Sequence, residues 1–131
     1  VLRAKMGAFL GLGPEDVRPG TFIAAVGADS PDKQEIAPEL MAGAAVVCDF
    51  TSQCAHVGDL HHAIAAGLTT AAKVRGELGG VVAGLVRGRQ NDHEVIVFDS
   101  TGTALQDAAA AAVVYEGALR TGRGTRFAFW G

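Results

Sequence analysis

The sequence holds only two cysteines, Cys48 and Cys54, six positions apart and outside any C-x-x-C pattern. That count excludes a disulfide framework and reads as reduced thiols in a cytoplasmic protein. Apolar runs are short, and none approaches the roughly 20 residues that cross a bilayer. Excess charge of one sign is also lacking, since 14 acidic residues face 11 basic ones for a net charge of −3. Neither nucleic acid nor a membrane surface is therefore an expected partner. A phosphate-gripping glycine turn is missing as well. The stretch Gly11-Leu12-Gly13-Pro14-Glu15-Asp16 starts like a dinucleotide fingerprint, yet it lacks the third Gly or Ala, follows no apolar strand and carries Pro14.

Apolar residues, by contrast, make up 49% of the 131 positions and charged residues 19%, which excludes an intrinsically disordered chain and suits one packed domain. Gly occurs 18 times, about twice the usual ~7%, so turns are abundant. Residues 1–20 form an irregular lead-in with Gly7, Gly11, Gly13, Pro14, Pro19 and Gly20, and the chain opens on Val1 as the continuation of something would. Residues 21–26 (TFIAAV), bounded by Pro19-Gly20 and Gly27, predict a buried strand. Pro38 and Gly43 frame a short helix over 37–43. Residues 45–50 (AVVCDF) predict a second strand, apolar on both faces as parallel strands are. Val57, Leu60, Ile64 and Leu68 recur every three to four positions and predict one amphipathic helix over 52–67. A shorter helix is expected over 77–83, then a polar connection over 84–92. Residues 94–98 (EVIVF) give a third strand. Thr103 and Gln106 have capping-box spacing ahead of an Ala-rich helix that reaches Leu119, and its small stripe of Leu105, Ala109, Ala112, Val113 and Leu119 suits close packing on a sheet. Residues 126–131 form an extended aromatic tail, expected to dock on a partner surface. Strands alternating with helices predict a three-layer α/β fold, with a parallel sheet of about three strands and right-handed crossovers.

Each predicted strand runs into an aspartate: Asp29, Asp49 and Asp99. Ligands of parallel α/β sheets bind at that carboxyl edge, whereas Asp is also a preferred residue for capping the following helix. Three convergent carboxylates would suit Mg²⁺. Asp29 stands between Gly27, which permits close backbone approach to a ligand, and Pro31, which fixes the turn. Lys33, four residues on, can pair with it or share acid–base work. Residues 99–102 (DSTG) offer hydroxyls and backbone N–H groups at a helix start, a place for a phosphate, carboxylate or carboxamide. His56, Asp59, His61 and His62 cluster in sequence, but no i,i+4 His pair exists and no metal site is assigned to them. Cys48 reads as core packing, His93 as isolated, and Arg120, Arg123 and Arg126 as a solvated end.

The segments PGTFIAAVGADSPDKQE, DLHHAIAAGL, ELGGVVAG and VIVFDSTGTALQDAAAAAVVYEGAL, in this order and spacing, closely resemble the carboxyl-terminal third of the ornithine cyclodeaminase/μ-crystallin family over residues 19–129. The resemblance implies NAD or NADP as cofactor and an amino-acid-like small ligand. It implies a partial NAD(P)-binding, Rossmann-like domain over residues 21–125, followed by the tail. It implies that Asp29 is an acid–base residue beside the substrate amine, with Lys33 the second catalytic residue of the motif Asp29-Ser30-Pro31-Asp32-Lys33. Gly27, Ala28, Ser100, Thr101 and Gly102 are then the cofactor-binding positions, the 99–102 turn lying near the nicotinamide. Asp32 replaces the Gly usual after Pro31, and Asp59 stands where Glu is common. The family's catalytic Lys, its carboxylate-binding Arg residues and its Gly-rich fingerprint belong to the part that precedes the matched third. The expectation is a truncated homologue, inactive by itself, that forms a homodimer or joins a partner chain supplying the missing half. A small ligand-binding or interaction module is the alternative.

Overall fold

The short apolar runs become strands in the computed structural model, which describes residues 11–130. The first half of the lead-in, residues 1–10 with Gly7, and the final residue of the tail, Gly131, lie outside the described residues. Strands β1 (Phe22–Ala25), β2 (Ala45–Cys48), β3 (Gly76–Glu77) and β4 (Ile96–Asp99) form one parallel sheet in the order β1-β4-β2-β3. Three of them are the predicted runs. The fourth, β3, is two residues long, too short to carry a hydrophobic pattern. The last strand is thus inserted between the first two.

Helices α1 (Pro38–Gly43), α2 (Thr51–Val57), α3 (Asp59–Ala65), α4 (Leu78–Val82) and α5 (Ala104–Thr121) connect and follow the strands. Ile23, Val97 and Val46 lie side by side across β1, β4 and β2, as do Ala25, Asp99 and Cys48. Paired residues of neighbouring strands share a face. This face packs against Leu40 and Met41 of α1, Cys54 of α2, and Leu60 and Ala63 of α3 to make the core. The other face is partly open, because Phe22 and Ala24 of β1 are exposed. β1 therefore alternates, in contrast to the expectation of strands covered on both faces.

Three local expectations are corrected. The single helix predicted over 52–67 is two helices, broken at Gly58, whose backbone is extended at φ −86°, ψ −177°. The apolar spacing continues across the break, which hides it in the sequence. Thr103 begins α5 without a side-chain cap; Gln106 N–H donates to the Thr103 backbone carbonyl at 3.0 Å instead. No residue of α5 is buried, so its stripe does not pack on the sheet among the described residues. The helix forms on local propensity, with a run of Ala from 108 to 112, and stops at left-handed Gly122. Phe127, Phe129 and Trp130 of the tail are exposed. The lead-in is more ordered than expected, with a 3-10 turn at Pro14–Asp16 and a parallel bridge from Leu12 to Ile36. Among the described residues no helix is long and apolar enough to cross a membrane.

Candidate functional site at the carboxyl edge of the sheet

Ala25, Asp99, Cys48 and Glu77 end the four strands in one row. The loops that leave β1 and β4 are neighbours there, and Ser100 N–H donates to the Ala25 carbonyl at 2.9 Å. Glu77 reaches across to accept from Thr51 N–H at 3.0 Å and satisfies a donor at the start of α2.

The loop after β1 carries Asp29 and Lys33. Lys33 N–H closes a turn onto the Ser30 carbonyl at 3.0 Å, and its ammonium donates to Asp29 Oδ1. Both side chains are more than half exposed. The hydrogen bond from Lys33, then its charge, holds the Asp29 carboxyl below its ordinary value. The predicted pair is therefore formed, with an ionised carboxylate open to solvent. Gly27 sits in the same loop, with the Glu35 carboxylate against it. Gly27 N–H donates to Glu35 Oε2 at 2.8 Å, and a Cβ at position 27 would lie 2.2 Å from Glu35 Oε1. Ala28, next to it, is buried.

In the 99–102 turn most of the donors counted in the sequence are already used. Asp49 Oδ2 accepts from Ser100 Oγ at 2.8 Å and from Gly102 N–H at 3.0 Å, while its Oδ1 accepts from Phe50 N–H at 2.7 Å. Partial burial would raise the Asp49 pKa, but these bonds, with one from Cys54, outweigh it and leave the carboxyl below its ordinary value. The buried Thr101 Oγ1 has no hydrogen-bond partner among the described residues.

Asp99 does not face a ligand. It has no solvent exposure, and its oxygens accept from Asp59 N–H at 3.3 Å and Leu60 N–H at 2.9 Å, so it caps α3 rather than the helix that follows it. Burial, with the charges of Asp59 and Asp49, pushes its pKa up to about 7 against the pull of those two N–H groups. The three strand-end aspartates thus have three different jobs and do not assemble a Mg²⁺ site. Among the described residues, the group of three whose ligand atoms lie within 4.8 Å of one another is Cys48, Cys54 and Asp99. The hydrogen bond with Cys48, burial and the charge of Asp99 push the Cys54 thiol up. It donates to the Asp99 carbonyl at 3.2 Å and to Asp49 Oδ1 at 3.3 Å, as a proton-bearing thiol does.

In the histidine cluster, the His61 and His62 rings meet edge to face with centroids 5.2 Å apart. His56 Nδ1 meets the Ser52 carbonyl at 2.6 Å, and His62 Nε2 meets the Lys33 carbonyl at 2.9 Å. Asp59 is the residue whose role the sequence reading missed: fully buried, its Oδ1 accepts from Glu35 N–H at 2.7 Å and Ile36 N–H at 2.9 Å. Its partners lie 24 and 23 residues away, and no local pattern signals them. On the opposite side, just before β4, Glu94 pairs with Arg75, which pulls its pKa down to about 2.

Comparison with known proteins adds to this geometry. The sequence profile of the ornithine cyclodeaminase/mu-crystallin family matches residues 10–122. An alanine dehydrogenase of Archaeoglobus fulgidus is 43% identical over 116 residues, covering 88% of this chain and 36% of its own length. A solved archaeal alanine dehydrogenase dimer with bound NAD superposes with a TM-score of 0.83 at 42% identity, over 91% of this chain and 37% of the other. The iminosuccinate reductase of Paracoccus denitrificans in complex with NAD⁺ does so with a TM-score of 0.83 at 44% identity, over 91% and 36%. The chain spans about a third of the length of the curated relatives it matches. Its fold is that of the Rossmann-like, NAD-binding neighbours. With the profile covering most of the sequence and relatives sharing four residues in ten, this chain belongs to the ornithine cyclodeaminase/mu-crystallin family.

Proposed function

We propose that the chain works as the carboxyl-terminal third of a cytoplasmic NAD(P)-dependent enzyme acting at the α-carbon of an amino acid or its imine, by deamination or imine reduction. Residues 21–125 are, in this reading, the second half of the nucleotide-binding domain, and 126–131 a docking tail. The observation that carries it is the exposed Asp29–Lys33 pair, one strand away from the 99–102 turn. An amine must give up a proton when the α-carbon is oxidised. Asp29, kept ionised by Lys33, takes that proton and returns it in the reducing direction. The cofactor, when bound, accepts or supplies the hydride. Thr101, with its unpartnered hydroxyl, is the residue that suits an amide at the nicotinamide end. The pyrophosphate end has no matching turn in this sequence, so the 131 residues alone show no turnover.

A graft tests the reading. Residues 10–122, placed in the Archaeoglobus alanine dehydrogenase instead of its matching segment, are expected to support NAD reduction by alanine. Asp29→Asn in the graft lowers kcat by about 10²–10⁴-fold with KM nearly unchanged. Full activity of that variant overturns the role of Asp29; a folded, NAD-binding graft without turnover favours a ligand-binding module.

We also propose a homodimer. β1 is an edge strand with Phe22 exposed, and the apolar side chains of α5 and the tail are uncovered. Two copies related by a two-fold axis cover such surfaces. Sedimentation equilibrium of the intact chain and of one ending at Arg123 is expected to give a dimer and a weakened dimer. A monomer of the intact chain refutes it and leaves the separate partner chain as the remedy for the open edge.

A further inference from the structure

Asp29 and Lys33 are both more than half exposed, and an ion pair in that setting contributes too little to fix the backbone that carries it. The loop must be held from inside. Its anchors are the bridge to Leu12, whose N–H donates to the Glu35 carbonyl at 2.9 Å, Gly27 N–H on Glu35, the Lys33 carbonyl on His62, and the two consecutive amides of Glu35 and Ile36 on a single oxygen of Asp59. The last is the one of these made by a fully buried side chain. It joins residues 23 and 24 positions apart in sequence. With Leu12, which holds the Glu35 carbonyl, it fixes the backbone that carries the grip of Glu35 on Gly27.

Asp59 is placed in turn by Asp99, which accepts from the amides of Asp59 and Leu60. The β4 end and the β1 loop are thereby referred to one point, the start of α3. The second oxygen, Asp59 Oδ2, is buried without any partner among the described residues. Burial pushes the Asp59 pKa up, with Glu35 adding to the rise and the two amides and His62 opposing it. A neutral acid would still accept both amides at Oδ1 and carry its proton on Oδ2.

We propose that Asp59 is a positioning residue: by clamping the amides of Glu35 and Ile36 it holds the loop in the one conformation that pairs Asp29 with Lys33. This rests on the reading of Asp29 as the acid–base group. The coupling is geometric, and no change in global fold is needed to break it.

The 131-residue chain itself serves for the test, by NMR. Asp59→Ala is expected to speed amide exchange at Glu35 and Ile36 by about 10- to 100-fold, the loss of two buried hydrogen bonds. The amides of Val46 and Val97 stay protected. The Asp29 carboxyl, titrated through its own ¹³C resonance, returns to the ordinary carboxylate range as Lys33 is released. Asp59→Asn, which keeps an acceptor at the same place, retains both the protection and the low Asp29 titration. An unchanged Asp29 midpoint in Asp59→Ala, or equal loss in the Asn variant, overturns the proposal. If Asp59→Ala does not fold, scalar couplings across the hydrogen bonds from the Glu35 and Ile36 amides to Asp59 Cγ in the unaltered chain decide, and their absence overturns it. The kinetics of Asp29→Asn in the graft bear on the acid–base reading alone, so the two can fail separately.

Discussion

Urea unfolding is expected to show that the chain loses stability, on the order of 3–4 kcal/mol, as pH rises from about 4 to about 7, and that Asp99→Asn removes most of this loss. The sign follows from Asp99. Its carboxyl titrates near 7 in the folded protein and at an ordinary 3.8 when unfolded. Between those values the native state holds the extra proton, so stability falls as pH rises. Burial pushes Asp59 in the same direction. Below about pH 4 the opposite group takes over, because Asp49 and Glu94, whose pKa values are lowered, must be protonated. The maximum therefore lies in mildly acidic solution. At pH 5 Asp99→Asn is itself less stable than the unaltered chain by about 1–3 kcal/mol, since the amide cannot accept from both Asp59 and Leu60 through its two atoms. Stability that rises steadily from pH 4 to 7 would refute the assignment.

Gly58→Ala is expected to destabilise by about 1–3 kcal/mol, the range for overfilling a packed interior. The backbone at Gly58 is in the ordinary extended region, so conformation is not the obstacle. A Cβ there would lie 2.7 Å from Asp99 Oδ2 and 2.9 Å from Oδ1. That carboxylate is on a short, buried side chain held by two amides, and it has nowhere to swing. Thermal or urea unfolding in two backgrounds isolates the cause. In Asp99→Ala the oxygens are gone, and Gly58→Ala should then cost little. An equal penalty in both backgrounds would show that the contact is not responsible.

The strands that position the site were legible because β1, β2 and β4 are continuous apolar runs between turn residues. β3 was not, since Gly76 and Glu77 have no pattern and pair only because β2 is beside them. The Asp29–Lys33 pair followed from local spacing of four residues in a constrained turn. Asp99 and Asp59 could not be read in this way. Their partners are 23 to 40 residues distant, and only the folded chain brings α3 against the ends of β1 and β4. Gly58 escaped because an amphipathic spacing survives a one-residue break between two helices. The neighbour of Gly27 in this structure, the Glu35 side chain eight residues on, had no local signal either.

Helix α5 has a thermodynamic consequence. It is 18 residues long, and none of them is buried among the described residues. Its helicity rests on alanine propensity and a C-terminal stop, terms that are marginal for an isolated helix of about this length. The sheet with α1–α3, by contrast, shares one core. At dilutions where no second copy covers α5, heating therefore melts two unequal cooperative units: α5 frays gradually over a broad range, while the sheet unfolds in a sharp step. Far-UV ellipticity and near-UV or calorimetric signals from one sample would not superimpose, and a single two-state midpoint would misdescribe the molecule.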